Sequence, residues 1–263
     1  MDKPLRTNEY GMERKNNIKL SIITVNYNNC EGLKKTIDSV SKQTCNCFEH
    51  VIVDGGSSDG SAEFIHEYSS SQHEYDIFWM SETDKGIYNA MNKGIQRSHG
   101  NFLLFINSGD LIFGCDVVGK IVSCLDEAID VYSGALQYVE GENVCLWEAP
   151  IIIDLDYCIK KGLTHPNTII NKRLFKKYGY YNEDNRIVSD WEFFLISCGL
   201  HKAVYQRLAF PVAVFFADGI STRNSHLLVK EKKRALRRLL PLKKRFYYMS
   251  YGLKKVLRNT FVR

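Results

Sequence analysis

The fold is decided by one stretch of the sequence, Phe102-Leu103-Leu104-Phe105-Ile106-Asn107-Ser108-Gly109-Asp110. Five apolar residues, rich in aromatic and branched side chains, run into a polar turn that ends in a single carboxylate. A short apolar run bounded by turn residues is typical of a buried strand in a parallel sheet. Because ligands of open α/β sheets bind beyond the carboxyl ends of such strands, Asp110 is predicted to face a nucleotide or a metal. A turn that only closes the strand has the same sequence pattern.

Strands and helices alternate along the residues before this stretch. The first strand ends in Asn26-Tyr27-Asn28-Asn29, and the second ends in a Gly- and Ser-rich turn, residues 54–60, where Ser58 or Asp59 is predicted to cap the next helix. This alternation predicts right-handed crossovers and a nucleotide-binding parallel sheet. The predicted strands are 20–25, 48–53, 77–80, 102–106, 130–134, 144–153, 165–170 and 203–216, and the predicted helices are 31–42, 61–68, 87–95, 116–125, 172–178 and 187–195.

Size and composition are those of an ordinary globular protein. The chain has 263 residues, 44% hydrophobic and 25% charged, which is enough for one substantial core. The polar residues 1–17 are predicted to be a disordered tail, with no signal peptide. Eight cysteines without paired C-x-x-C spacing indicate reduced thiols and a cytoplasmic protein.

Charge is distributed unevenly along the chain. Residues 227–263 carry thirteen Lys and Arg and one acid, Glu231, so their net charge is +12. Since the whole chain has a net charge of +5, residues 1–226 carry −7. Apolar residues at helical spacing lie between these basic residues, with Pro241 as a break, so a basic amphipathic helix lying on an anionic membrane surface is predicted. The alternative is a helix packed on the acidic body.

Several nucleotide-binding classes are disfavoured by their missing motifs. No G-x-G-x-x-G follows a strand, and no G-x-x-x-x-G-K-[ST] occurs. Four blocks instead resemble the family-2 glycosyltransferases of bacterial polysaccharide assembly, in particular the colanic acid, capsular and O-antigen branch. These blocks are residues 21–29, 51–60, 81–94 and 107–110, within a resemblance that covers roughly 20–221. Four short motifs in the right order are far more specific than any one of them.

The resemblance implies a GT-A fold, a mostly parallel sheet with helices on both faces. It divides the domain 18–226 into a nucleotide-sugar half, 18–114, and an acceptor half, 115–226, and the charge pattern adds a basic helical tail, 227–263. It implies an inverting transfer from a nucleotide-sugar to a saccharide, usually linked to a polyprenyl lipid at the inner face of the cell membrane. A divalent metal, Mn²⁺ or Mg²⁺, is the implied cofactor, and no nucleic acid is an expected partner.

Site residues follow by position from the resemblance. Thr24, Asn26 and Tyr27 are expected to line the base pocket, and Asp54 to accept a hydrogen bond from the nucleobase. Asp84 and Lys85 approach the ribose and diphosphate, with Asn89 and Asn92 nearby. His165 is expected near the diphosphate or the acceptor, and the loop 218–221 over the donor. Each of three residues also has a purely structural alternative. Asp54 would be a turn carboxylate that accepts hydrogen bonds from backbone amides. Lys85 would be a solvated lysine, and His165 would be a structural histidine.

Two carboxylates carry the expected chemistry. Asp110 is the metal ligand, although the family's Asp-x-Asp is replaced by Asn107-Ser108-Gly109-Asp110. Asp190 is the catalytic base that removes the proton of the acceptor hydroxyl, with Ser189 where the family usually has Glu. A helix N-cap is the alternative for Asp190. A nucleotide-sugar-binding protein without catalysis and a nucleotidyltransferase are the competing functions.

Overall fold

The computed structural model describes residues 18–217 and 224–248. The predicted N-terminal tail, the loop 218–221 and the last part of the basic tail lie outside these residues. In the described part no helix is long and apolar enough to cross a membrane.

The amino-terminal half is a parallel sheet with the order β3-β2-β1-β4. Every residue of β1, β2 and β4 is buried, including the polar Ser21, Thr24, Glu49 and His50, as in strands of a parallel sheet that is covered on both faces. The elements of this half are β1 (Leu20–Asn26), α1 (Cys30–Ser41), β2 (Phe48–Asp54), α2 (Ser61–Ser70), β3 (Asp76–Ser81), α3 (Ile87–Arg97) and β4 (Phe102–Phe105).

The sheet continues into the second half with mixed pairing. Its elements are β5 (Leu111–Ile112), α4 (Val117–Cys124), β6 (Val131–Glu140), β7 (Asn143–Trp147), α5 (Leu155–Lys160), β8 (Thr168–Asn171), α6 (Arg173–Tyr178), α7 (Ser189–Phe194), a π-helical segment (Leu195–Leu200), β9 (Tyr205–Phe216), α8 (Ser225–Leu239) and α9 (Leu242–Tyr247). Strand β8 pairs antiparallel with β4 and β6, and β6 pairs parallel with β9. Strand β5 pairs antiparallel with β9, and β7 pairs antiparallel with β6.

Apolar side chains cover both faces of the sheet, because successive strand residues point to opposite sides. Ile23 and Phe105 face a core shared with α3, α7 and α8. Ile22 and Leu104 face a second core that includes residues of α1 and α4. Helices therefore cover both faces, and the predicted α/β fold class is confirmed.

Four elements differ from the sequence-based assignment. Strand β6 runs to Glu140 instead of ending near Gly134, where it makes a bulge against β9. Strand β5 has two residues and α5 has six, which is too short for a periodic apolar pattern. In the predicted strand 144–153, only residues up to Trp147 pair with β6, and Pro150 lies beyond the ladder.

Helix α3 packs on β1 so closely that Gly94 has no room for a side chain. A Cβ atom there lies 2.5 Å from Cγ2 of Ile23, whereas at Gly119 in α4 the nearest atom, Cβ of Cys45, is 3.4 Å away. We therefore expect Gly94→Ala to lower the free energy of unfolding by about 1–3 kcal/mol through overpacking. Gly119→Ala is the matched control and should raise it by about 0.5–1 kcal/mol through helix propensity. Urea unfolding measures both, and equal effects at the two sites contradict the packing.

Candidate active site

Polar side chains meet at the carboxyl edge of the parallel strands. Asn26 and Asp54 are register partners at the ends of β1 and β2, and Ser81 is the partner of Asp54 at the end of β3. The Asn26 amide donates to Asp54 at 2.8 Å, and Ser81 Oγ donates to the same carboxylate at 2.6 Å. The parallel pairing alone brings these side chains together.

Asp54 is fully buried and has four hydrogen-bond donors. Besides Asn26 and Ser81, the amide and hydroxyl of Ser57 donate to it at 2.9 and 2.6 Å. Burial by itself raises the pKa of Asp54, but these hydrogen bonds outweigh it and hold the pKa below its ordinary value. Four donors match the acceptor capacity of a carboxylate. Asp54 therefore holds the turn in shape, and a contact with a nucleobase requires exchange of one of these donors.

Tyr27 and Asp84 lie on either side of Gly55. A Cβ atom on Gly55 comes within 2.6 Å of Asp84 Oδ2 and 3.2 Å of Tyr27 Cδ2, so only glycine fits between them. Tyr27 is 66% exposed, as a stacking surface for a planar base requires. Thr24, by contrast, is fully buried, and its hydroxyl is hydrogen-bonded to His50 at 2.9 Å, so its side chain lies beneath this surface.

Residues around the start of α3 make contacts of two kinds, within their own turn and with the carboxy-terminal half of the chain. Asp84 accepts the amide of Gly86 at 2.9 Å, and Lys85 has an exposed side chain. The side-chain amides of Asn89 and Asn92 donate to Glu183 at 2.9 and 2.8 Å. The two asparagines therefore join α3 to the loop before α7, a contact that the sequence did not reveal.

The turn after β4 is held by Thr36 of α1. Its hydroxyl donates to the carbonyl of Asp110 at 2.8 Å and accepts the amide of Gly109 at 2.9 Å. Asp110 is buried, and in the same turn Asn107 has a buried Oδ1 atom with no hydrogen-bond partner. A carboxylate and an amide oxygen are ligands that Mg²⁺ and Mn²⁺ accept, so the turn fits a divalent cation. No group of three or more acidic, His or Cys side chains that could hold a metal occurs in the described ranges.

Asp190 lies where the two halves of the chain meet. It is the second residue of α7, and the Tyr88 hydroxyl of α3 donates to its Oδ1 at 2.8 Å. The N-cap of α7 is Val188, which makes no side-chain cap, so the carboxylate is not used to cap the helix. Burial and the charge of Asp190 raise the pKa values of Tyr88 and Tyr181 well above the ordinary value, so both phenols stay protonated.

His165 is buried in a cluster of aromatic rings beside this carboxylate. Its ring stacks on Phe105 at 4.4 Å between centroids, and Nε2 is 2.8 Å from the Tyr181 hydroxyl. Burial lowers the pKa of His165 to about 4, against the opposing effect of Asp190, so the ring is neutral at pH 7. A neutral ring cannot balance the charge of a diphosphate.

Three residues that interact with Asp190 or with the adjacent Trp191 were not predicted from the sequence, namely Tyr88, Tyr181 and Lys232. Each lies on a different segment, and Lys232 belongs to α8, far along the chain. Trp191 contacts Lys232, whose Nζ atom lies 4.7 Å from the ring centroid. Contacts of this kind have no local sequence signal.

Two solved structures share the fold. S. aureus TarS in complex with UDP-GlcNAc aligns over 84% of this chain and 65% of its own, with a TM-score of 0.67 and 19% identity. The mannosyltransferase PcManGT from Pyrobaculum calidifontis, in complex with GDP-Man and Mn²⁺, aligns over 91% and 69%, with a TM-score of 0.65 and 13% identity. At these identities the likeness shows the architecture, which is of the GT-A type.

Family membership comes from the sequence comparisons. Residues 21–190 match "Glycosyl transferase family 2". A PGL/p-HBAD biosynthesis glycosyltransferase of Mycobacterium bovis is 30% identical over 201 residues, which are 75% of this chain and 76% of the relative. The chain belongs to glycosyl transferase family 2 and is a glycosyltransferase. A nucleotidyltransferase is thereby set aside, and the narrower colanic acid, capsular or O-antigen branch stays a prediction.

Proposed function

We propose that the protein transfers a sugar, with inversion, from a nucleotide-sugar to an acceptor hydroxyl, using Asp190 as the general base. One observation carries this proposal, the position of the Asp190 carboxylate. It is held by Tyr88 of the nucleotide half at the start of a helix of the acceptor half. A single positioned base is sufficient for direct displacement, in which the acceptor oxygen attacks the anomeric carbon as its proton leaves.

The donor site lies at the carboxyl edge of β1, β2 and β4. Tyr27 offers an exposed ring to the base, Asp84 lies across Gly55 from it, and Lys85 is exposed at the start of α3. TarS was crystallised with UDP-GlcNAc and PcManGT with GDP-Man, which supports a nucleoside diphosphate sugar as the ligand class. Asn26 contributes a buried Oδ1 atom without a partner, so it can accept a hydrogen bond from a donor at this edge.

Asp110 and Asn107 are the residues that would hold a divalent metal. A cation held there would supply positive charge beside the phosphates of the donor. The presence of Mn²⁺ in the PcManGT complex supports this cofactor. With His165 neutral, Lys85 is the residue of the predicted donor site that can bring a positive charge to the same diphosphate.

The acceptor is proposed to be a saccharide on a lipid, at the cytoplasmic face of a membrane, in the synthesis of a cell-surface glycan. The mycobacterial relative is named as a PGL/p-HBAD biosynthesis glycosyltransferase, which supports a role in a dedicated biosynthetic pathway. The predicted membrane-facing helix needs correction in one respect, because Ala235 and Leu236 of α8 are buried in the body of the protein. Basic side chains on the outside remain for an anionic surface, among them Lys230, Arg237, Lys243 and Lys244.

We expect Asp190→Asn to reduce sugar transfer by about 10² to 10⁴ while leaving nucleotide affinity unchanged, because the amide cannot accept the proton. Nucleoside diphosphate release from a panel of UDP-, GDP- and dTDP-sugars, with bacterial membranes as the acceptor source, measures transfer. Calorimetry with UDP and GDP measures affinity. Asp156→Asn is the control, since that partly exposed carboxylate pairs with Lys160 in the neighbouring turn of α5. Near-normal turnover of Asp190→Asn would contradict the assignment of Asp190 as the general base.

Asp110→Asn should remove the part of the affinity for UDP or GDP that depends on Mn²⁺, because a neutral amide is a weaker ligand for a hard cation. Titrations with Mn²⁺ and with excess chelator separate that part. Asp116→Asn changes an exposed carboxylate, paired with Lys120, and should behave as the wild type. If the wild-type protein binds and transfers equally well in chelator, the metal role is wrong and Lys85 carries the diphosphate charge.

Replacing Lys230, Arg237, Lys243 and Lys244 by Gln should release the protein from liposomes containing anionic lipid. Each Lys or Arg near such a surface contributes about 1 kcal/mol, and salt should weaken the interaction in the same way. Lys176→Gln with Lys177→Gln on α6 is the control for a general loss of charge. Failure of the wild-type protein to co-sediment with these liposomes at low salt excludes the membrane surface.

A further inference from the structure

The segment before α7 folds back on itself, and its conformation sets the start of that helix. The hydroxyl of Ser189, the first residue of α7, donates to the carbonyl of Asn182 at 2.8 Å and so closes the loop 182–189. Inside the loop, the amide of Asn185 donates to the same carbonyl at 3.2 Å. Asp190 follows Ser189 directly, so the Asp190 carboxylate takes its position from this closed loop.

Helix α3 of the amino-terminal half holds the start of the loop. The side-chain amides of Asn89 and Asn92 donate to the two carboxylate oxygens of Glu183 at 2.9 and 2.8 Å. The Asn92 side chain also donates to the backbone carbonyl of Tyr181 at 2.9 Å and accepts its amide at 3.0 Å. These contacts leave the middle of the loop to be held by another element.

Helix α8 holds the middle of the loop through a buried carboxylate. Glu231 is 5% exposed, and its two carboxylate oxygens accept the backbone amides of Arg186 and Ile187 at 2.9 and 3.0 Å. The loop lies between α6 and α7 and belongs to neither helix nor strand. Glu231 therefore supplies the acceptors that regular secondary structure would otherwise provide for these two amides.

Two arginines of α8 add contacts with the loop and with α7. Arg234 donates to the carbonyl of Asp184 at 3.0 Å and to Oδ1 of Asn185 at 2.6 Å. Arg238 is paired with Glu192, a buried residue of α7 that also accepts the Asn185 side-chain amide at 2.8 Å. Charge-assisted contacts are stronger than neutral hydrogen bonds, so they fix the loop relative to both helices.

Apolar packing anchors α8 itself, so the helix is a firm support for these contacts. Ala235 and Leu236, one turn beyond Glu231, are buried in the same core as Val188 and Phe194. Val188 and Phe194 lie on either side of Asp190 in the sequence. Helix α8 therefore holds the segment around Asp190 by hydrogen bonds and by burial together.

We propose that Glu231, the single acid of the basic tail, is a positioning residue for sugar transfer. By accepting the amides of residues 186 and 187, it fixes the loop 182–189 and with it the Asp190 carboxylate. The proposal rests on the proposed function in assigning the base to Asp190. Asp190 is three residues beyond Ile187, so a change in the loop backbone is passed on to it directly. A displacement of about 1 Å can lower a rate by about a hundredfold, because a base must lie within hydrogen-bond distance of the acceptor hydroxyl.

The first test needs no activity. Full-length Glu231→Gln keeps the size of the side chain, but its NH₂ group is a donor and cannot accept a backbone amide. Amide hydrogen exchange, followed by mass spectrometry, should become about tenfold faster in peptides covering 182–189 and stay unchanged in peptides of β1 and β2. Glu67→Gln makes the same change at an exposed position of α2 and should exchange as the wild type does. Unchanged exchange of 182–189 in Glu231→Gln overturns the proposal.

The second test separates positioning from stability. At a temperature where circular dichroism shows the variants to be folded, Glu231→Gln should lower kcat about tenfold and leave the affinity for UDP or GDP unchanged. Glu231→Asp keeps both acceptor oxygens and should recover part of kcat. Arg234→Gln, at an exposed position, loses two contacts with the same loop and should lower kcat about threefold, so it carries the test if Glu231→Gln does not fold. A wild-type kcat in the folded variants overturns the proposal.

A double-mutant cycle shows whether Glu231 acts through Asp190. Glu231→Gln should slow transfer about tenfold in the wild type but less than about twofold in Asp190→Asn, because a base that is absent cannot be positioned. An equal loss in the two backgrounds overturns the proposal. If Asp190→Asn alone transfers sugar at the wild-type rate, the assignment of the base in the proposed function fails. The exchange measurement still decides whether Glu231 holds the loop, so the two failures are distinguished.

Discussion

The parallel pairing of β1 with β2 and β4 is the constraint on which the site depends. It aligns Asn26 with Asp54 and brings the turn after Phe105 to the same edge. Both faces of these strands are covered by helices, so polar groups have access to a ligand only where the strands end. The buried Asp54 carboxylate accepts four hydrogen bonds and so holds the turn after β2 in a single conformation. Because its acceptor positions are occupied, it is not free to bind a ligand as well.

The carboxy-terminal half of the chain is joined to the amino-terminal half by a few polar contacts. Tyr88 reaches Asp190, and Asn89 and Asn92 reach Glu183, all from one helix, α3. Helix α3 packs closely on β1 at Gly94. Because Tyr88 of α3 holds Asp190, the position of the proposed base is set relative to the first strand. Such a fixed position suits a general base, because a base must lie within hydrogen-bond distance of the acceptor hydroxyl.

Much of the fold could be predicted from the sequence, because apolar runs and polar turns repeat in β1 through β4. The same pattern placed Asp110 and Asp54 at strand ends, although their roles stay predictions. Short elements such as β5 and α5 have too few residues for a periodic signal. The sequence also could not show that the Asp54 carboxylate accepts four hydrogen bonds. Its donors come from three separate strands or turns, so they can be counted only in the tertiary structure.

The basic tail shows why a charge pattern does not identify its partner. Its composition suits a membrane, a nucleic acid or an acidic protein body equally well. In the structure, Arg234 and Arg238 contact the carbonyl and carboxylate groups around Asn185, and Glu231, the single acid of the tail, accepts two backbone amides. A negative charge among so many positive charges would weaken a helix that binds a membrane through electrostatics alone. A helix that docks by accepting hydrogen bonds from backbone amides, in contrast, needs an acceptor such as Glu231. The position of Glu231 therefore favours docking for α8, and surface binding is left to the basic residues on its exposed side.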